Sequence, residues 1–331
     1  TLIHYPSGKN NSKYVIPDGV STVGAGAFAG CTTLETLVLS DNVGYVNAYA
    51  FYNASNLTTL EVGKGLRFIN SNYQNKGTVY MDCFPFSDCE KLTTINVDAD
   101  NPYYSSADGV LFNKDKTLIV LYPQNKNASS YEIPRGVVII DEYAFNSCNH
   151  LEDISVPYTV TKIKETAFYK CTALESISFA TSGVSIGSSA FSGCSNLKKV
   201  NILDTDAWLK NSFENKYSNP LENGAGLYCD DKLVTEVIVS DEVTEISDYA
   251  FYGYEKLTSV TILDGPTTIG SDAFSGCINL TSISIPNSVT SIGSNAFTNT
   301  GYYNDSANYE DGILYIGDCL VGNKVYSSDS V

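Results

Sequence analysis

The sequence predicts an α/β repeat solenoid: mostly short parallel strands, linked by helical or 3₁₀ turns and interrupted by β-hairpin insertions. Three observations predict it. An Ala-Phe pair (Pro-Phe in one case) recurs along the 331 residues, with its aromatic at Phe28, Phe51, Phe86, Phe145, Phe168, Phe191, Phe251, Phe274 and Phe297. Five of the eight intervals, those ending at Phe51, Phe168, Phe191, Phe274 and Phe297, are 23 residues, and the others are 35, 59 and 60. Two apolar tracks recur with the same period, and the stretch Val289–Phe297 shows the end of the unit in its plainest form. A fixed period of this length is the signature of stacked coils, none of which can bury its apolar face alone.

The first track is Leu-x-x-apolar-x-apolar. It reads Leu34/Leu37/Leu39, Leu57/Leu60/Val62, Leu92/Ile95/Val97, Leu151/Ile154/Val156, Leu174/Ile177/Phe179, Leu197/Val200/Ile202, Leu257/Val260/Ile262 and Leu280/Ile283/Ile285. Alternation with β-branched residues at the end of each triplet predicts a short half-buried strand. The second track is Val-x-x-Ile, as in Val137/Ile140, Val160/Ile163, Val243/Ile246 and Val289/Ile292. The Ala-Phe-x-x-Cys segment that follows is expected to form a helical or 3₁₀ turn, too brief to stand without neighbours.

On this reading residues 1–331 form one domain of about nine 23-residue units. Insertions fall near 70–81, 98–131 and 203–233, and a cap-like stretch at 301–331. In the second insertion, Val110–Phe112 and Leu118–Tyr122 are expected to pair as a hairpin about a turn at Asn113–Thr117. The third holds Trp208, the only Trp. Tyr5–Val20 aligns without a gap with Tyr122–Val137, sharing Tyr-Pro-x-x-Lys-Asn-x-Ser-x-Tyr-x-Ile-Pro-x-Gly-Val. Because the second copy is the tail of an insertion, the expectation is that the chain is a fragment opening inside a similar one.

Leu-x-x-Leu-x-Leu is leucine-rich-repeat spacing. Together with the Ile-Pro, Ile-Gly and Ala-Phe-x-x-Cys signatures, it resembles the BspA-like leucine-rich repeats of bacterial and protist surface proteins, over essentially the whole chain. The resemblance implies a right-handed superhelix and a secreted or surface-attached protein. Some members of that family bind host matrix proteins such as fibronectin and fibrinogen.

Composition narrows the partners. A net charge of −17 argues against nucleic acid and against an anionic membrane surface, both of which need clustered Lys and Arg. No apolar run approaches the roughly 18–20 residues that span a bilayer. Nothing in the sequence indicates an oligomeric state.

No reaction is predicted. Six of the nine cysteines (Cys31, Cys89, Cys148, Cys171, Cys194, Cys277) sit three residues after the repeat Phe, where Ala54, Tyr254 and Thr300 stand in other units. Such a slot reads as packing, with free thiols acting as small apolar residues; Cys83, Cys229 and Cys319 lie outside it. No Cys-x-x-Cys pair points to zinc. His150 falls on a permissive position and His4 has no evident partner, so neither makes a Ser-His-Asp or Cys-His arrangement. The acid pairs Asp141-Glu142 and Asp241-Glu242 read as solvated turn residues. Gly24-x-Gly26 belongs to the repeat rather than to a phosphate loop, and the Asn- and acid-rich stretch Asn304–Asp311 lacks calcium-loop spacing. No cofactor and no metal are expected.

One constellation stands out, the outward positions of the strand track. One row is Thr36, Thr59, Thr94, Asp153, Ser176, Lys199, Ser259 and Ser282; the other is Val38, Glu61, Asn96, Ser155, Ser178, Asn201, Thr261 and Ser284. The pair makes a hydroxyl- and amide-rich face suited to a protein or glycan ligand, although Ser and Thr are also ordinary exposed strand residues. The expected function is a non-catalytic extracellular or cell-surface binding or adhesion module. The alternatives are a stalk displaying another domain, or a surface glycan-binding protein in which Trp208 senses sugar.

Overall fold

Alternation within each triplet becomes a four-residue strand with two side chains inward and two outward. In the computed structural model, which describes residues 1–69, 73–75, 78–80, 84–317 and 319–323, Thr36–Leu39 buries Leu37 and Leu39 and leaves Thr36 and Val38 half-exposed. The chain divides into two units, residues 1–152 with 166–174 and residues 153–165 with 175–331.

In the first unit, Lys13–Val15, Thr36–Leu39, Thr59–Val62 and Thr94–Val97 form a parallel ladder offset by one repeat per rung, so that Leu37, Leu60 and Ile95 lie side by side. The Val-x-x-Ile track makes a second ladder, Thr22–Val23, Tyr45–Val46 and Phe68–Ile69. In the second unit the first ladder runs Asp153–Val156, Ser176–Phe179, Lys199–Ile202 and Gly226–Cys229. It resumes as Glu236–Val239, Ser259–Ile262 and Ser282–Ser284. The second ladder runs Lys162–Ile163, Ser185–Ile186, Ser212–Phe213, and again Glu245–Ile246, Thr268–Ile269, Ser291–Ile292.

The turn track departs from the expected helical or 3₁₀ form. Around Phe28 the bonds Ala27 N–H to Gly24 O, Ala29 N–H to Gly26 O and Cys31 N–H to Phe28 O close successive tight turns. The residues two before and two after the Phe have positive φ: Gly26 and Gly30, Tyr49 and Asn53, Tyr143 and Ser147, Thr166 and Lys170, Ser189 and Gly193, Tyr249 and Gly253, Asp272 and Gly276, Asn295 and Asn299. A left-handed residue every fourth position stops a helix from propagating. The described helices all lie in the interrupting segments: Thr205–Leu209, Lys216–Ser218, Pro220–Asn223, Gly301–Asn304 and Ser306–Asn308.

The zigzag turns each Phe amide toward the next coil. Phe28, Phe145, Phe251 and Phe274 donate to the carbonyls of Ala50, Ala167, Ala273 and Ala296 at 2.7, 2.8, 2.7 and 2.8 Å. The rings above those bonds stack, with centroids 5.7 Å apart for Phe28–Phe51, 4.9 Å for Phe145–Phe168 and 5.4 Å for Phe274–Phe297. The glycine of Ile-Gly serves the same close approach. A Cβ on Gly293 would lie 2.4 Å from the Ser271 backbone nitrogen, and one on Gly270 would lie 2.4 Å from that of Asp248.

The interrupting segments are more integrated than looped-out insertions. Within 98–131 the hairpin is a three-stranded antiparallel meander, because Tyr104–Ala107 adds to Val110–Asn113 and Leu118–Leu121. Its last strand pairs in parallel with Ile139–Ile140 and so joins the second ladder. Asn101, fully buried, anchors the segment: its amide donates to Gly63 O and Leu66 O and its carbonyl accepts from the Tyr103 and Tyr104 amides. Tyr122 then takes the place of a repeat Phe, donating its amide to Ala144 O at 2.7 Å and stacking on Phe145 at 5.2 Å. Tyr5 does the same with Ala27 at 2.7 Å and Phe28 at 5.2 Å. The internal alignment of residues 5–20 with 122–137 is therefore an alignment of geometry as well. Residues 203–233 likewise form an irregular coil, contributing Ser212–Phe213 to one ladder and Gly226–Cys229 to the other. Of the stretch near 70–81, the strands Tyr73–Asn75 and Thr78–Tyr80 pair antiparallel and the rest lies outside the described residues. The C-terminal stretch forms the antiparallel strands Tyr309–Glu310, Ile313–Ile316 and Cys319–Asn323, with Leu314 and Ile316 buried.

The left-handed slot gives a backbone test. Lys170 is exposed with φ +56°, where Gly30 stands in another coil with open space around it. Lys170→Gly is expected to leave stability within about 1 kcal/mol of the starting value, because the relief of a left-handed Lys is offset by the glycine entropy and the lost exposed cation–π contact with Tyr169. Gly30→Val should destabilise by about 1–2 kcal/mol. Urea unfolding followed by circular dichroism measures both.

Candidate binding surface

The outward positions singled out in the sequence lie on the first ladder, in register. In the first unit Thr36, Thr59 and Thr94 form one row and Val38, Glu61 and Asn96 the other. In the second unit the rows are Asp153, Ser176, Lys199 and Ser155, Ser178, Asn201, followed beyond the irregular coil by Ser259, Ser282 and Thr261, Ser284. Asn96, Asp153, Ser155, Thr261, Ser282 and Ser284 are exposed and the others half-exposed.

Several of these groups bond to one another across coils. The Asn96 amide donates to Glu61 Oε1 at 3.0 Å, and the Asn201 amide to Ser178 Oγ at 3.0 Å and Ser176 Oγ at 3.3 Å. Lys199 bonds Asp231 at 2.9 Å, holding that carboxyl below the usual carboxylate range, and lies 5.0 Å from the Tyr228 ring centroid. Sequence reasoning missed members of the same rows, namely Lys13 and Val15 beside Thr36 and Val38, and Glu236 and Ile238 beside Ser259 and Thr261. Lys13 lies in a strand without the leading Leu of the triplet. Glu236 follows the irregular coil, where the spacing is lost.

Trp208 is not part of any surface. It is 0% exposed, packed 5.3 Å from Phe213 and 6.3 Å from Phe179, and its Nε1–H donates to Ala250 O at 2.9 Å. The physical reason lies in the turn track. Ala250 begins a coil whose predecessor is irregular, and Phe191 donates instead to Tyr217 O. The Ala250 carbonyl therefore takes its bonds from Trp208 and from the Asn219 amide at 3.0 Å.

The six cysteines of the repeat slot are buried, as are their neighbours in the column, but they do more than fill space. Their thiols reach the carbonyl of the aromatic one coil back: Cys89 to Phe51 at 3.2 Å, Cys171 to Phe145 at 2.9 Å and Cys277 to Phe251 at 3.0 Å. Burial pushes the thiols of Cys89 and Cys277 up to about 12 from an ordinary 9.0, so they are neutral donors rather than nucleophiles. Cys229 and Cys319 are half-exposed and free, and Cys83 lies outside the described residues. His150 is exposed and shares a 2.8 Å hydrogen bond with Asn125. Among the described residues, no group of three or more His, Cys, Asp or Glu is placed to share a metal ion, and no helix is long and apolar enough to cross a membrane.

The second ladder carries a feature not read from the sequence. The outward residue of each Val-x-x-Ile segment aligns as Thr22, Tyr45 and Phe68 in the first unit. The rings of Tyr45 and Phe68 stack at 5.5 Å and 6°, and the Arg67 guanidinium lies 4.9 Å from the Tyr45 centroid. Aromatic residues one before the Val or Ile, at Tyr45 and Phe68, were the available signal.

Ladders of short parallel strands, tight turns and in-register core columns define a leucine-rich-repeat solenoid. The model of the BspA-type leucine-rich repeat region matches six copies, over residues 6–107, 122–221 and 224–324; the chain belongs to that family. Its structure is similar to that of a leucine-rich repeat protein from Eubacterium ventriosum, with 21% identity, 91% of this chain and 86% of that one covered, and a TM-score of 0.55. The pneumococcal vaccine antigen PcpA is 24% identical with a TM-score of 0.57, over 89% of this chain and 67% of that one. A leucine-rich cell surface protein from Faecalibacterium prausnitzii is 27% identical with a TM-score of 0.50, over 82% of this chain and 59% of that one. No curated protein sequence matches this chain.

Two outcomes follow for the buried groups. Trp208 fluorescence should be blue-shifted and resistant to acrylamide. Trp208→Phe, which leaves the Ala250 carbonyl with one donor fewer, should destabilise by about 1–3 kcal/mol in urea unfolding. Brief alkylation of the native chain followed by peptide mass mapping should label Cys229 and Cys319 and spare Cys31, Cys89, Cys148, Cys171, Cys194 and Cys277. The folded state keeps the protons of Cys89 and Cys277 up to about pH 12 while the unfolded chain loses them near 9.0. Stability should therefore fall, by up to about 1.4 kcal/mol per thiol and pH unit, as pH rises through that window.

Proposed function

We propose that this chain is a non-catalytic extracellular or cell-surface module that engages a protein partner, such as a host matrix protein, across the polar face of the first ladder. The observation that carries the reading is the register of the two outward rows. Hydroxyl and amide groups repeat at the inter-strand spacing of about 4.8 Å and are held by cross-coil hydrogen bonds from Asn96 and Asn201. Side chains fixed before binding lose less entropy on association. Family membership supports a binding role for the repeats, and the likeness to a cell surface protein of Faecalibacterium prausnitzii supports the location.

Surface-plasmon binding of the chain to host matrix proteins, mucins and glycans at physiological salt tests this. A saturable response at micromolar affinity or tighter is expected from a matrix protein, weakened at least tenfold by the double substitution Ser178→Lys, Asn201→Lys. A response from glycans alone would assign the ladder face to sugar. A blank across the panel would leave the module as a stalk that displays another domain.

A further inference from the structure

We propose a second docking site, on the second ladder of the first unit, where Tyr45, Arg67 and Phe68 receive an extended segment of a protein partner carrying a carboxylate beside a bulky apolar side chain. Packing does not call for aromatic residues here. The equivalent outward positions elsewhere on the second ladder are Leu118 and Ile139 in the first unit, and Lys162, Ser185, Ser212, Glu245, Thr268 and Ser291 in the second, none of them aromatic. Yet Phe68 is 57% and Tyr45 37% exposed, and their near-parallel rings form an ordered apolar platform.

Arg67 supplies the other half of the site. It is one of two arginines among 331 residues of net charge −17. It is exposed, and no ion-pair partner for it occurs among the described residues. Gly44 leaves the space its side chain occupies: a Cβ there would lie 3.3 Å from Arg67 Nε. Stacked on Tyr45, the guanidinium is held in place with no ion-pair partner for its N–H fork among the described residues, and such a fork recognises a carboxylate in two parallel hydrogen bonds. Aromatic and Arg side chains are the residues that dominate binding energy at protein interfaces.

The partner's chemistry follows from charge and from the groups present. The negative field of the chain repels polyanions, so a single Arg selects an isolated carboxylate with apolar surface next to it. An acidic sugar would also need amide or carboxylate groups for its hydroxyls, and Thr22, Gly44, Tyr45, Arg67 and Phe68 provide none.

The test uses an array of synthetic peptides in a Gly-Ser background carrying Glu-x-Leu or Glu-x-Phe, with Gln-x-Leu and Glu-x-Ser controls and a set of sialylated and uronate glycans. It is probed with the full chain, Arg67→Gln, Phe68→Ser and the Ser178→Lys, Asn201→Lys variant. The wild-type chain should favour the Glu-x-apolar peptides at least tenfold over both controls. Arg67→Gln should erase the preference for Glu over Gln, and Phe68→Ser the preference for Leu or Phe over Ser. The ladder variant should behave as wild type, which separates this site from the polar face. Thermal midpoints within about 2 °C of wild type are expected for both variants because the side chains are exposed. Absence of any preference in the wild-type chain, a preference that survives both substitutions, or Arg67-dependent binding of acidic glycans without the peptides would overturn the proposal.

Discussion

The structure depends on one recurring backbone hydrogen bond, the Phe amide of a coil donating to a carbonyl of the next, an alanine carbonyl for Phe28, Phe145, Phe251 and Phe274. Apart from the Phe, side chains in the turn track vary from coil to coil: Cys, Ala, Tyr and Thr share one slot, and the left-handed positions hold residues as different as Gly30 and Lys170. The bond recurs because a tight turn exposes backbone groups in a buried place, and an unpaired buried amide or carbonyl costs about 1–3 kcal/mol. Stacking coils satisfies these groups, and ring stacking and close packing follow from the same approach. The left-handed residues are what it takes to aim the amide along the stack, and the strain they carry is offset by a bond that a helical turn would have spent on its own carbonyl.

The interruptions show the same constraint acting where the repeat is broken. Where an irregular coil leaves Ala250 without a Phe amide, an indole N–H and an asparagine amide reach its carbonyl. Where the meander precedes a coil, Tyr122 keeps both the amide bond and the ring stack; Pro85 gives up the turn N–H that Ala27 donates to Gly24 O but still supplies the carbonyl that accepts from the Phe51 amide. Substitutions are tolerated in this protein where the backbone acceptor is still served.

Much of the fold was legible because its causes are periodic. The spacing of Leu37, Leu60 and Ile95 places strands, and the alignment of Tyr5 with Tyr122 anticipated a shared geometry. The turn conformation was not legible: Ala-Phe-x-x-Cys has good helix formers, and the deciding feature, a positive φ at Tyr49, Thr166 or Asp272, is imposed by neighbouring coils rather than by those side chains. Trp208 illustrates the reverse error. A lone Trp in an aperiodic segment reads as a surface group, but the acceptor that buries it sits at Ala250, a contact that sequence distance conceals. The polar rows were found since they alternate with the Leu positions, whereas Tyr45 and Phe68 share a row that holds no other aromatic residue in the described coils, only Thr22, Leu118 and Ile139 in the first unit and polar residues in the second.

A solenoid separates what holds it together from what it presents. Inward positions answer to the columns of Phe, Leu and Ile, while outward positions touch only their neighbours in register, so replacing them changes stability little. The two faces of the first unit use that freedom differently. On the first ladder, the Asn96 amide bonds the Glu61 carboxylate from coil to coil beside a row of Thr hydroxyls, which suits a broad contact with many small contributions. On the second, two stacked rings and an arginine with no carboxylate partner among the described residues concentrate apolar area and one charge in three residues. Neither arrangement is needed for folding, and each is cheap for the scaffold to carry, which is why recognition has to be sought where the repeat pattern leaves the side chain undetermined.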